Sequence, residues 1–216
     1  MTFADRLIVL NTTKTGDKSL VVHCLSRSCG RRNFIVSAGK NGPAALFLPL
    51  NIISAEVVEN SRSSLWRLRS PSSESPLAGI RNSPVKNVIS LFVSEVLYRI
   101  LKEGSGDADL FDWCVTRILT LDALTENYSN YHLRFLLELC SAMGFSVSEE
   151  SIAPFAGEQL KNLCALIAGD SAESLLVPLR GEDRSAIAAI LLEYLGYHSE
   201  MNLNVRSLPV LREIFS

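Results

Sequence analysis

No apolar run in this chain reaches the roughly 18–20 residues that a membrane-crossing helix needs, so none is expected. The first residues, MTFADRLIVLNTTKTGDK, lack a basic stretch ahead of their short apolar segment, which Asn11 interrupts. They read as a strand and not as a secretion signal, and a cytoplasmic location is the expectation. Histidine is scarce: His23, His132 and His198 each lack a Ser, Cys or carboxylate at the spacing of a local catalytic motif. There is no P-loop, GxGxxG, GxSxG or HExxH pattern. His23 and Cys24 are adjacent on an expected strand, so they point to opposite faces, which weakens a Cys-His nucleophile. The cysteines are Cys24, Cys29, Cys114, Cys140 and Cys164, an odd set with no C-x-x-C pair, so neither a zinc site nor any other cofactor is expected. Cys114, Cys140 and Cys164 sit among apolar helical positions and read as small buried hydrophobes.

Charge of one sign is also lacking, since 21 Lys and Arg face 23 Asp and Glu. The balance is uneven along the chain. Residues 1–75 carry ten basic and five acidic side chains, or +5, whereas residues 76–216 carry −7. Such asymmetry points to an anionic partner for the first part.

Hydrophobic residues make up 47% of the chain, ample for a packed core, and their periodicity changes near residue 75. Segments 6–11, 19–26, 32–38, 51–58 and 64–69 are rich in Val, Ile, Leu and Phe. Turn residues such as Gly16-Asp17, Cys29-Gly30 and the stretch from Gly39 to Pro43 separate them. Five short strands in about 70 residues predict a small closed barrel, which removes exposed edges. Segment 70–84 holds three prolines and five serines and reads as a linker. Beyond it, Val85, Val88, Ile89, Phe92, Val96 and Ile100 recur at helical spacing, with Ser83 as N-cap and Pro84 as first helical residue. Asp107 is the expected cap of a second helix. Further helices are expected at about 129–143, 157–168, 182–196 and 207–215. The fold class is therefore α+β, with a five-stranded barrel over 1–75 and an all-α bundle over 76–216.

The basic side chains of the barrel gather at turns. Lys14 and Lys18 flank Gly16, Arg27, Arg31 and Arg32 flank Cys29-Gly30, and Lys40 lies in the next loop. Convergent loops of this kind track a phosphate backbone, though solvated loop charges are the plainer reading. Phe3, Phe34, Phe47 and Trp66 are the aromatic residues of this part, and alternation commits some of them to the core. In the helical part, Arg99, Lys102, Arg117 and Arg134 are basic islands beside apolar groups. They suit an acidic peptide with an apolar tip, or else salt bridges with Glu95, Glu103 or Glu138.

These residues, in their order and spacing, resemble the bacterial RecO recombination mediators over nearly the whole chain. RLIVLNTTKTGDKSLVVHCLSRSCGRRNFIVSAGK is similar to the family's first three strands, and His132-Leu133-Arg134-Phe135-Leu136-Leu137 with Gly144-Phe145 to its central helix. The ending RSLPVLREIF is similar to the branch found in Bacteroides-like bacteria. The resemblance implies an OB-fold barrel followed by a helical domain in a non-enzymatic, nucleoid-associated protein. It implies binding of single- and double-stranded DNA and annealing of complementary strands. The implied partners are RecR and the acidic tail of the single-stranded DNA-binding protein, with help to RecA loading. Arg31 and Lys40 fall at the family's DNA-facing loops, and Arg134 in the helix of the tail-binding groove; Arg117, a basic island on another expected helix, is a second candidate for binding the tail. The family has a basic cluster after the position of Gly39, whereas GKNGPAALFLPL keeps one Lys. That departure shifts weight to Arg27, Arg31 and Arg32, or leaves an adaptor with weak DNA binding as the alternative. Some members bind zinc through four cysteines in the second half. This chain has three there, so no metal is carried over.

Overall fold

Alternating apolar residues in the first third produce the expected strands. The computed structural model describes residues 1–15, 19–37, 44–104 and 106–215. Strands β1 (Thr2–Lys14), β2 (Ser19–Ser26), β3 (Gly30–Ser37), β4 (Ile52–Val58) and β5 (Leu65–Ser73) close into a barrel in the order β1-β2-β3-β5-β4. Neighbours are antiparallel except for the parallel β3–β5 pair, and β4 returns to β1. This is the five-stranded barrel of an OB-fold. Every second residue points inward, so Val22 and Cys24, Phe34 and Val36, Ile53, Ala55 and Val57, and Trp66 and Leu68 build one core with Leu7, Val9 and Phe47. The register of β1 against β2 slips between Val9 and Asn11. This bulge bends β1, whose first half pairs with β4 and whose second half pairs with β2.

The helices are α1 (Ala78–Arg81), α2 (Pro84–Ile100), α3 (Ala108–Ala123), α4 (Tyr131–Ala142), α5 (Glu149–Ala156), α6 (Leu160–Ala168), α7 (Ser171–Leu176), α8 (Gly181–Ser199) and α9 (Leu208–Ile214). The expected caps form: Ser83 Oγ accepts from Lys86 N at 3.3 Å and Asp107 Oδ1 from Leu110 N at 2.9 Å. Besides α1, two short helices were not anticipated. One starts at Ser148, paired with Ser151 in a capping box, and holds Pro154. The other starts at Asp170, capped reciprocally with Glu173. The Pro/Ser-rich stretch 70–84 is not a bare linker. β5 runs through Ser73, and Leu77 and Ile80 are fully buried around α1. The Ile80 N–H donates to Asp122 Oδ1 at 2.8 Å, and a Cβ at Gly79 would lie 1.9 Å from the Asp122 carbonyl oxygen. Small residues there permit close backbone approach.

The chain forms two compact units, residues 1–78 with 97–120, and residues 79–96 with 121–216. In the first, the end of α2 and most of α3 accompany the barrel. In the second, α4 and α8 pack together, and α8 also meets α5 and α9. Inside that unit Glu95 ties down the start of α9. Its carboxylate accepts from Arg206 N at 2.9 Å, Ser207 N at 2.8 Å and Ser207 Oγ at 2.7 Å. Among the described residues no helix is long and apolar enough to cross a membrane.

Candidate nucleic-acid interface

The β2–β3 turn, richest in arginine, is covered by the α2–α3 connection. Gly106 packs so tightly there that a Cβ would lie 2.3 Å from the Ser28 carbonyl oxygen. Glu103 forms backbone bridges with Gly30 and Arg31 and accepts from Asn33 Nδ2 at 2.7 Å. Asn33 Oδ1 in turn meets His23 Nδ1 at 2.7 Å, and the His23 ring lies edge-on to Tyr98.

The arginines of this turn already have partners. Arg27 reaches Asp112 of α3 at 2.8 Å, and this hydrogen bond and charge raise its pKa and lower that of Asp112. Arg31 lies 3.6 Å from Glu103 and 5.1 Å over the Tyr98 ring. Arg32 follows the inward parity of Phe34 and stacks its guanidinium on Trp66 at 4.7 Å. Arg6, on the neighbouring strand, is held by Glu74 at 2.8 Å, which raises its pKa and, with Ser54, lowers that of Glu74. Asp5 is buried beneath and accepts from Ser26 Oγ and from Ser28 Oγ. The open groove beside the turn, about 440 Å³, is lined by Asp5, Arg6, Arg27, Glu56 and four serines, a mixed charge that does not select an anion.

Lys14 ends β1 and is exposed, while Lys18 and Lys40 lie outside the described residues. Sequence reasoning left out Arg62 in the β4–β5 turn and Arg67 and Arg69 on the outer face of β5. All three are exposed and, among the described residues, carry no ion pair. The signal was present in the alternation Trp66-Arg67-Leu68-Arg69, which buries the apolar members and turns both arginines outward. The barrel aromatics are spent on packing. Phe34, Phe47 and Trp66 are buried core residues and Phe3 packs against them.

Arg117 and Arg134 fall in different compact units. Arg134 stands at a cavity of about 140 Å³ lined by Leu137, Glu138, Ser141, Val147 and Ile167. Its Nε donates to Glu138 Oε1 at 2.7 Å, the i,i+4 pair visible in the sequence, and Nη1 donates to Gly169 O at 3.3 Å. A larger groove of about 650 Å³ runs along the end of α8 and the 201–205 segment. Glu193 and Glu200 are among its lining residues, which include no Lys or Arg.

No arrangement for covalent chemistry appears among the described residues. The cysteines are unpaired, and burial pushes the thiol pKa values of Cys24 and Cys114 well up and that of Cys140 to about 12. Burial, helped by the charge of Arg184, holds His132 down at about 3. Among the described residues, no group of three or more His, Cys, Asp or Glu is placed to hold a metal ion.

No family model matches the chain. It is 29% identical over 234 residues to the DNA repair protein RecO of Bacteroides fragilis, covering 96% of this chain and 97% of that protein. It is 28% identical to the RecO of Flavobacterium psychrophilum over 239 residues, the full length of both. With the RecO of Porphyromonas gingivalis it shares 30% identity over 150 residues, 67% of this chain and 61% of the relative.

Proposed function

We propose that this chain, which belongs to the RecO family of DNA repair proteins in its Bacteroides branch, is a non-enzymatic mediator. It binds single- and double-stranded DNA on its barrel, anneals complementary strands and, with RecR, helps load RecA onto coated single strands. The observation that carries this reading is a closed OB barrel with a surplus of basic side chains. Neutralising phosphates on two strands lowers their repulsion and speeds their encounter. Lys14, Lys18 and Lys40 are proposed contacts. Arg27, Arg31 and Arg32 contribute by exchanging Asp112, Glu103 and Trp66 for phosphate. With no barrel aromatic left for stacking among the described residues, recognition follows the backbone with little base preference. The division of labour is a DNA-binding part at 1–75 and a partner-binding part at 76–216.

The partner-binding part captures the acidic tail of the single-stranded DNA-binding protein. The cavity beside Arg134 has room for one apolar side chain against Leu137, Val147 and Ile167, with the guanidinium placed for a carboxylate. Arg117 is a second proposed contact, independent of that cavity.

Fluorescence anisotropy of labelled oligothymidylate against salt tests the mediator reading. Affinity should fall steeply as salt rises. Absence of binding at low salt, or binding indifferent to salt, sinks it. The second reading is a protein adaptor with weak DNA binding. It is favoured by the Arg27–Asp112 and Arg31–Glu103 pairs, which already engage arginines of the basic turn. Tail-peptide binding without DNA binding selects it.

A further inference from the structure

We propose that the nucleic-acid backbone follows the outer face of β5, held by Arg67 and Arg69 with Arg62 of the β4–β5 turn. This rests on the reading of the barrel as a DNA-binding module and says where on the barrel the strand runs. Five-stranded barrels of this type usually take oligonucleotides across strands two and three and the β1–β2 and β4–β5 loops, so Arg62 stands at the edge of the usual surface and the β5 pair beyond it. Here part of that surface is already taken. Tyr98 covers His23 and Arg31, and Glu103 engages Asn33 and Arg31.

What stays open on β3 is the outward, half-buried Ile35, which faces Val21 in β2 and Arg67 in β5. An apolar strip therefore leads directly to a cation. Arg67 and Arg69 share one face two residues apart, which separates their stems by about 6.8 Å along the strand. Neither has an ion pair among the described residues, so phosphate contact displaces no internal bond. Two acids lie near. Glu56 faces Arg69 in the β4–β5 register, and Glu59 sits 4.0 Å from the N-terminal ammonium. Three guanidinium groups against Glu56 leave a net positive ridge. Guanidinium groups are suited to the planar, two-pronged contact that phosphate oxygens accept.

The test is anisotropy of labelled oligothymidylate and a labelled duplex with the full chain. Arg67→Ala with Arg69→Ala should weaken binding about tenfold at low salt. It should also reduce the log–log salt slope for the single strand by about 1.4, the loss of two phosphate contacts. Arg67→Lys with Arg69→Lys should stay within about threefold of the unaltered chain, because a point charge still meets phosphate. Arg62→Ala should weaken binding about threefold, and Arg27→Ala should weaken it less than the β5 pair. Thermal melting of each variant confirms that it folds, and the Lys pair and Arg62→Ala carry the test if the double Ala variant does not. Binding by the unaltered chain that the β5 and Arg62 changes leave intact overturns the β5 path and leaves the mediator reading standing. No binding by the unaltered chain overturns both.

Discussion

The imidazole of His132 stacks on the ring of Phe215, with centroids 5.4 Å apart and planes 15° from parallel. His132 is a buried residue of α4, and Phe215 follows α9 at the end of the described chain. The Arg184 guanidinium lies 5.7 Å over the same Phe215 ring and donates to Asn130, whose amide holds the carbonyls of Ser174, Leu175 and Val177. A cation beside an uncharged histidine is stable only while that histidine stays neutral.

Acid should therefore loosen the helical unit before it titrates most carboxylates. His132 titrates at about 3 in the fold and near 6.5 when unfolded, so the unfolded chain binds the extra proton between those values. Stability is full above about pH 6.5 and falls by up to about 1.4 kcal/mol per pH unit below it. Denaturant melts at pH 7 and pH 5 read this directly. His132→Phe, which keeps an aromatic ring in the stack, should flatten the difference, and an unchanged pH dependence in that variant refutes the assignment.

Glu95→Ala should release the start of α9. Three hydrogen bonds end on that carboxylate, and losing them costs about 1–3 kcal/mol. Hydrogen exchange should speed up selectively at 206–214. The pKa of His132 should move up towards the ordinary range as Phe215 lifts away. Uniform loss of protection across the whole chain would instead mean global destabilisation.

Gly106→Ala should destabilise the barrel unit by about 1–3 kcal/mol, because its Cβ meets the Ser28 backbone and not a side-chain tip that can swing aside. Urea melts followed by tryptophan fluorescence suit this test, since Trp66 lies in the barrel core. A midpoint equal to that of the unaltered chain would mean that the α2–α3 connection does not press on the turn.

Arg134→Ala should weaken binding of an acidic tail peptide with an apolar end about tenfold or more. Glu138→Gln should strengthen binding several-fold, because the carboxylate that now holds Arg134 competes with the peptide's own. Isothermal titration with the peptide distinguishes the two. Equal weakening by both changes would assign the pair a structural role.

Much of this was legible because the controlling signals are local. Apolar segments bounded by turn residues, such as 51–58 and 64–69, placed strands, and Ser83-Pro84 and Asp107 placed helix starts. The Asp170–Glu173 capping box was equally local and was overlooked, whereas a serine at both ends of the box and Pro154 within the helix disguised α5. The basic turn was different. Arg27 meets Asp112 85 residues away, and Arg31 meets Glu103, pairings that no spacing rule reveals. Counting charge along the chain located a basic part, but which arginines stay unpaired is decided by the tertiary fold.

The interleaving of the two units constrains inheritance. Residues 1–78 need 97–120, and residues 79–96 need 121–216, so the passage at Val96–Leu97 falls inside the continuous helix α2. A single exchange of gene segments at any one position divides at least one unit between two parents. A chimaera joined just after β5 would leave Arg27 and Arg31 facing foreign partners in place of Asp112 and Glu103. Barrel and helices are therefore expected to diverge together, as one hereditary piece and not as interchangeable modules.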